Sequence, residues 1–348
     1  EKAMIYYEKA LEISPNEPML MIKVAVELNK KENFDSAIDY LEKAKELAPD
    51  EILVYFNLGW SYRGKKEFSI AIENYEKALS YDTTNAKVWK GLGLVYRITE
   101  DYDNFIKAFE KAMDLDPKDE ETWNIMGIEK GLKKDHAQAI ACFQKAIDIK
   151  PKYLPALHNI AKAYRKRKVY DKSVTAYDRV LELDSDNLYC QIIRGKTLEM
   201  ANKDALALQG YKKVLEVSQK NTRALYYAAY LHEKIHETKK ALDYHKAITK
   251  ITPKDYNSWY RTALNYESLN DLEEAISYFK EAFSLVPKNL DICNKIAYSY
   301  ERREEYADSL NYYEQAIELA PNSYYAWNGK AKIYRFLENF DQALADAK

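Results

Sequence analysis

A proline that recurs at a fixed interval constrains this chain more than any other feature. Pro15, Pro49, Pro117, Pro151, Pro253, Pro287 and Pro321 are separated by 34 residues, as from Pro15 to Pro49, or by whole multiples of that interval. They are seven of the nine prolines in 348 residues. Proline lacks the backbone donor that a helix needs and clashes with the preceding turn. On such a lattice it marks the same helix end in a unit copied along the chain without insertion or deletion. A strict period of this length belongs to stacked repeats and argues against an ordinary globular enzyme.

Other side chains keep the same frame. Five positions before the prolines stand Ala10, Ala44, Ala112, Ala146, Ala282 and Ala316. Seven positions earlier stand Ala3, Ala37, Ala71, Ala139, Ala207, Ala241, Ala275 and Ala343, and large residues such as Tyr75, Phe109, Phe143, Tyr211 and Tyr313 fall between the two sets. Spacings of three, four and seven place them on one helical face. Small residues there let two helices approach closely while the ring fills the adjacent gap. The other half of each unit carries Trp89-x-x-Leu92-Gly93-x-x-Tyr96 and its relatives Tyr55-x-x-Leu58-Gly59-x-x-Tyr62 and Trp123-x-x-Met126-Gly127. Each unit therefore reads as two amphipathic helices. Asn85, Asp119, Asn187, Asn221, Asp255, Asn289 and Ser323 stand where they would cap the next helix.

This pattern resembles the tetratricopeptide repeat (TPR) family over the whole chain. The resemblance implies an all-α, right-handed superhelical solenoid of antiparallel helix pairs, with the first helix of each pair lining a concave groove. The frame gives one array over 1–348. Residues 1–17 are the second helix of a partial repeat, full repeats start at 18, 52, 86, 120, 154, 188, 222, 256 and 290, and 324–348 is a truncated repeat. Neither end reads as a polar cap, and the chain opens at Glu1 inside a repeat, so the natural protein is expected to continue beyond both ends. The repeat at 188 departs from the pattern, with Gln191, Arg194 and Leu198 at signature positions and Ser185 and Gln219 in place of proline. Two readings stay open there: drift in a repeat that still stacks, or a softened joint.

Chemistry-bearing motifs are scarce. His232-Glu233-Lys234-Ile235-His236 matches the H-E-x-x-H pattern of zinc proteases, in which two histidines share a helix face and the glutamate acts as base. No third ligand follows: Lys239 and Leu242 stand where the longer motif needs Gly and His. His232 and His245 fall at aromatic packing positions, which predicts polar-tipped core residues hydrogen-bonded to one another. There is no phosphate-binding glycine loop and no nucleophile elbow. The chain is expected to be non-catalytic, with no metal and no cofactor. Cys142, Cys190 and Cys293 lie in different repeats and form no disulfide framework. With 53 Lys and Arg against 55 Asp and Glu, no overall charge steers the chain to nucleic acid or to a membrane. A cytoplasmic location is expected.

Function is then expected on the first helices, whose second, fifth, ninth and twelfth positions share a face. Early repeats offer the apolar residues Ile22, Val26, Phe56, Trp60, Leu94 and Ile128, together with Arg63, Arg97, Lys162 and Arg165. Later repeats offer Tyr226, Tyr230, Tyr260 and Tyr298 with Glu199, Glu233, Glu267 and Glu301. The twelfth position thus switches from arginine to glutamate along the array. Arginine near a helix C-terminus suits the helix dipole, whereas glutamate there does not unless a neighbouring cation neutralises it. This predicts a polarised groove for a protein or peptide partner of mixed charge, with self-association left open. Two ligand modes implied by the resemblance do not assemble. Lys90 is followed by Leu94 rather than the Asn of a carboxylate clamp, and only Asn57 and Asn159 occupy an asparagine-ladder position. A scaffold or adaptor is the expected function, the alternative being the substrate-docking arm of an enzyme whose catalytic domain lies elsewhere.

Overall fold

The computed structural model describes residues 2–337. The described residues form twenty α-helices and no strand, and they divide into two compact units, Glu1–Lys168 and Val169–Lys348. The expected alanine at Ala343 lies outside the described residues.

In the first unit the first helices of successive pairs are α2 (Pro18–Lys30), α4 (Ile52–Gly64), α6 (Ala86–Ile98), α8 (Glu120–Leu132) and α10 (Leu154–Lys166). The second helices are α1 (Lys2–Ile13), α3 (Phe34–Leu47), α5 (Phe68–Tyr81), α7 (Tyr102–Leu115) and α9 (His136–Ile149). The second unit alternates α11 (Tyr170–Leu183), α13 (Asp204–Val217), α15 (Thr238–Ile251), α17 (Leu272–Leu285) and α19 (Tyr306–Leu319) with the first helices α12 (Leu188–Met200), α14 (Thr222–Lys234), α16 (Tyr256–Ser268), α18 (Leu290–Arg302) and α20 (Tyr324–Phe336). Each lattice proline lies two residues past the last helical residue, as Pro49 does after Leu47 and Pro287 after Leu285.

Why the lattice pairs a proline with a tryptophan is visible in the hydrogen bonds. A carbonyl just beyond a helix end needs a donor. The Trp123 indole donates to the Pro117 carbonyl at 3.0 Å, Trp259 to Pro253 at 2.9 Å and Trp327 to Pro321 at 2.8 Å. Tyr55 serves Pro49 in the same way at 2.7 Å. Gln191, where the repeat at 188 departs from the pattern, still donates to the Ser185 carbonyl at 3.0 Å. That repeat also keeps both helices and buries Leu198 and Tyr211. The boundary between the units falls instead between Lys168 and Val169.

All seven expected N-cap side chains accept a backbone amide, for example Asn187 from Cys190 at 2.9 Å and Asn221 from Ala224 at 3.1 Å. The close helix approach is equally concrete. A Cβ at Gly93 would lie 2.5 Å from the Phe109 ring, and one at Gly127 would lie 2.6 Å from Phe143. Both distances are below any real contact, so only glycine fits beneath those rings. The core follows from this geometry. In the first unit, Val24, Leu41, Ala44 and Leu58 form one buried cluster, and Tyr75, Val88 and Val95 belong to another. In the second, Tyr211 and Leu231 share a cluster, as do Phe279 and Ile296.

Candidate functional site

The first helices of the first unit present a partly apolar wall. Phe56, Trp60, Arg63 and Leu94 line a cleft of about 520 Å³ that also takes in Lys87, Lys90 and Glu121. Phe56 leans on the core ring Tyr75 with centroids 6.0 Å apart, which holds it in place while leaving part of it accessible. Val26 and Ile128 are likewise half-buried. Ile22 is not on this wall: it is only 3% exposed, in a core cluster with Met21, Val24 and Ala25 that Met4, Tyr7 and Leu11 of α1 cover. The fifth position lies on a seam between helices. A short branched side chain sinks into it, as Ile192 also does, whereas the longer Phe56 reaches out.

Two of the cations on the wall are engaged. Lys90 bonds Asp119 at 2.8 Å and Glu121. Burial opposes its charge, but these two acids outweigh burial and hold its pKa above the ordinary lysine value. Arg97 donates from Nε to Glu129, which is buried on α8. Arg63, Lys162 and Arg165 make no ion pair among the described residues. His158 feels two of them: its pKa is lowered by burial and then by Lys162 and Arg165.

In the second unit the exposed aromatic surface is mostly tyrosine. Tyr226 and Tyr230 are 37% and 42% exposed, while Tyr260 and Tyr298 are half-buried. Several rest on inner rings: Tyr260 lies 5.6 Å from Phe279 and Tyr325 lies 6.4 Å from Tyr313. The Arg261 guanidinium stands 5.6 Å over the Tyr226 ring, within cation–π range. Tyr260 donates its hydroxyl to Asp291 on the next first helix.

The glutamates of this unit do not form a free acidic ladder. Glu233 accepts from His245 at 3.0 Å, Asn265 at 2.9 Å and Arg261 at 3.1 Å. Burial would raise its pKa, but these donors outweigh burial and lower it. Glu267 takes Lys295 at 2.9 Å. Glu301 is buried rather than on an open wall, between the Tyr313 hydroxyl at 2.9 Å and Lys332. Glu199 differs: it accepts from the Tyr211 hydroxyl and has no bonded cation among the described residues, and burial raises its pKa. The physical reason is register. A twelfth-position carboxylate lies over the next first helix, where basic side chains at its sixth or ninth position reach it.

The paired histidines differ from expectation as well. His232 Nδ1 meets Glu237 at 2.6 Å and His245 meets Glu233, so each binds a carboxylate and not the other ring. His236 lies beyond the end of α14 with φ of 60°, so the two histidines of H-E-x-x-H share no helix face. Among the described residues no group of three His, Cys, Asp or Glu side chains could hold a metal. All three cysteines are free thiols, and burial pushes Cys190 up to about 12.

Repeated helix pairs with interlocked small and aromatic residues define a helical-repeat protein. Family models described as tetratricopeptide repeat match residues 1–17, 21–51 and 120–153, 56–120, 156–188, 256–289 and 290–323, and 312–345. The chain belongs to the tetratricopeptide repeat family, whose members generally bind protein partners. No curated protein matches the chain. Among solved structures, it is similar to the C-terminal part of a TPR repeat-containing protein from Cytophaga hutchinsonii, with a TM-score of 0.62 and 20% identity over 68% of this chain and 97% of that one. It is also similar to pilF of Pseudomonas aeruginosa, with a TM-score of 0.52 and 19% identity over 61% of this chain and 97% of that one. Likeness at these identities establishes the fold. No helix among the described residues is long and apolar enough to cross a membrane.

Proposed function

We propose that the chain is a non-catalytic scaffold that binds a peptide or partner segment along the face of its first helices. The observation that carries this reading is the accessible apolar and aromatic surface of that face. Phe56, Trp60 and Leu94 edge a cleft in the first unit, and Tyr226 and Tyr230 stand open in the second. Large apolar side chains kept in water are costly unless something covers them, and tyrosine supplies contact area with a hydrogen-bonding tip. Charge supports a narrower version than a two-sign ladder. Arg63 and Arg165 are available in the first unit, whereas the second unit's glutamates already hold internal partners. The partner segment is therefore apolar with acidic residues where it meets the first unit.

Cross-linking of the chain in its native lysate, followed by mass spectrometry, tests the reading. Cross-links from a partner should concentrate on the first helices, and joint Trp60→Ala and Arg63→Glu substitution should abolish those on α4 and α6. Cross-links confined to the second helices, or unchanged by the substitutions, would refute it.

A further inference from the structure

Between α8, α9 and α10 lies a second cavity of about 460 Å³, and its chemistry differs from that of the cleft at Phe56. Its walls include Ile128, Leu132 and the edge of Phe143, and its rim carries Lys134, Lys162 and Lys166. No Asp or Glu lines it, whereas the first cleft includes Asp116, Asp119, Glu120 and Glu121. The three rim lysines make no ion pair among the described residues. In a chain with slightly more acidic than basic residues, a carboxylate-free enclosure of three lysines has no internal explanation.

Glycine makes the cavity. The twelfth position is arginine in the frames on either side, Arg97 and Arg165, but Gly131 here. A Cβ at Gly131 would meet only the Ala139 Cβ, at 3.8 Å, so the absent side chain leaves a notch that helix packing does not require. Leu132 beside it is 69% exposed. A cavity of this size with an apolar floor and a few convergent charges has the make-up of a ligand site. On the same helix as two of the rim lysines, His158 has its pKa lowered by burial and then by the charges of Lys162 and Arg165. Nucleic acid would need exposed aromatic rings on which bases stack, but the Phe143 ring is buried and the only other ring lining the cavity is the half-buried imidazole of His136.

We infer that this cavity takes an acidic peptide segment, an apolar side chain seated in the Gly131 notch and flanking carboxylates held by Lys134, Lys162 and Lys166. The inference rests on the groove reading above and narrows it to one partner chemistry at one place. Lysine suits such a site, because a mobile ammonium at the rim accepts carboxylates whose spacing is not fixed.

The probe is a fluorescein-labelled peptide with one phenylalanine flanked on both sides by glutamates, titrated with the full chain by fluorescence anisotropy. Gly131→Leu fills the notch without adding charge and should weaken binding by roughly tenfold or more, as should glycine in place of the peptide's phenylalanine. Joint Lys162→Glu and Lys166→Glu, both at exposed positions, should weaken it at least as much and flatten its salt dependence. Circular dichroism melting confirms that each variant folds. Should Gly131→Leu unfold, the lysine pair and the glycine peptide decide the matter. Affinity unchanged in these variants, or displacement by inorganic phosphate or polyuridylate at concentrations equal to the peptide's, would overturn the inference. If Trp60→Ala weakens binding while Gly131→Leu does not, the cavity is excluded and the groove reading stands. Failure of the peptide to bind at all also excludes the cavity, and the cross-linking experiment then judges the groove on its own.

Discussion

Glu199 and Glu233 occupy the same position in adjacent repeats and have opposite pKa shifts, which makes them an internal comparison of environment. Burial raises the Glu199 pKa with only the Tyr211 hydroxyl as partner, while hydrogen bonds from His245 and Asn265 and the charge of Arg261 overcome burial and lower that of Glu233. A raised carboxyl stabilises the fold below its unfolded value of about 4.3 and loses that contribution as pH rises through the folded value. A lowered one contributes above about 4.3 and loses it as pH falls through the folded value. Glu199→Gln, which keeps the acceptor for Tyr211, is therefore expected to raise the melting temperature at neutral pH. Glu233→Gln should cost about 1–2 kcal/mol there, because three donors lose a charged acceptor. The Glu199→Gln difference should vanish below about pH 4, where its raised carboxyl is protonated, whereas the Glu233→Gln difference should persist to lower pH and fade only as pH falls through the lowered Glu233 value; melting curves at neutral and acid pH check the pair, and a loss from Glu199→Gln at neutral pH would contradict the account. The change from arginine to glutamate was legible in the chain, but its compensation was not. The compensating groups sit at the sixth position of their repeats (Arg261, Lys295) or the ninth (Lys332), and only the stacked geometry brings them to the carboxylates of the preceding repeat.

At the level of the helix pair, the sequence reading captured what each element needs at its ends. Proline, indole and N-cap recur because each satisfies a backbone group or ends a helix in the same place every time. A second lattice escaped it. Glu32, Lys66, Glu100, Lys134, Lys168, Asn202, His236, Asn270 and Glu304 all have positive φ, between 57° and 65°, at the turn joining the two helices of a pair. Their interval is that of the prolines, yet none is glycine, so no residue type betrays them. For most side chains this left-handed conformation costs about 1–2 kcal/mol, while glycine would cost about 0.4–1 kcal/mol through the freer unfolded chain. Relief of strain outweighs that entropy. Glu100→Gly is therefore expected to stabilise the protein by about 0.5–1 kcal/mol, and Asn202→Gly by less, since asparagine tolerates the conformation. Chemical denaturation measures both, and destabilisation by Glu100→Gly would show that its side chain contributes more than its backbone costs.

Across the molecule, the 34-residue frame and the division into compact units do not coincide. The boundary between Lys168 and Val169 falls within the frame that starts at 154, after α10 and before α11. The sequence gives no sign of it, because a repeat pattern encodes how neighbours stack and not where a run of them becomes self-sufficient. Each unit has its own apolar clusters. Those around Leu41, Tyr75 and Phe109 lie wholly in the first, and those around Tyr211, Phe279 and Tyr313 lie wholly in the second. Repeat proteins gain stability from each unit and its nearest neighbour, with no contact needed from distant ones, and about three stacked repeats suffice to bury a continuous core. Each unit exceeds that. Fragments 1–168 and 169–348 are accordingly expected to fold separately, each with a helical circular dichroism spectrum and a cooperative urea transition. Cutting instead between Leu92 and Gly93 severs α6 and parts Val95 from Tyr75, Val88 and Leu92 of its buried cluster, so the fragment beginning at Gly93 should lose its first repeat and unfold at lower urea than 1–168. A fragment 1–168 or 169–348 that lacks a cooperative transition would show that the clusters, though local, depend on the rest of the chain for their stability.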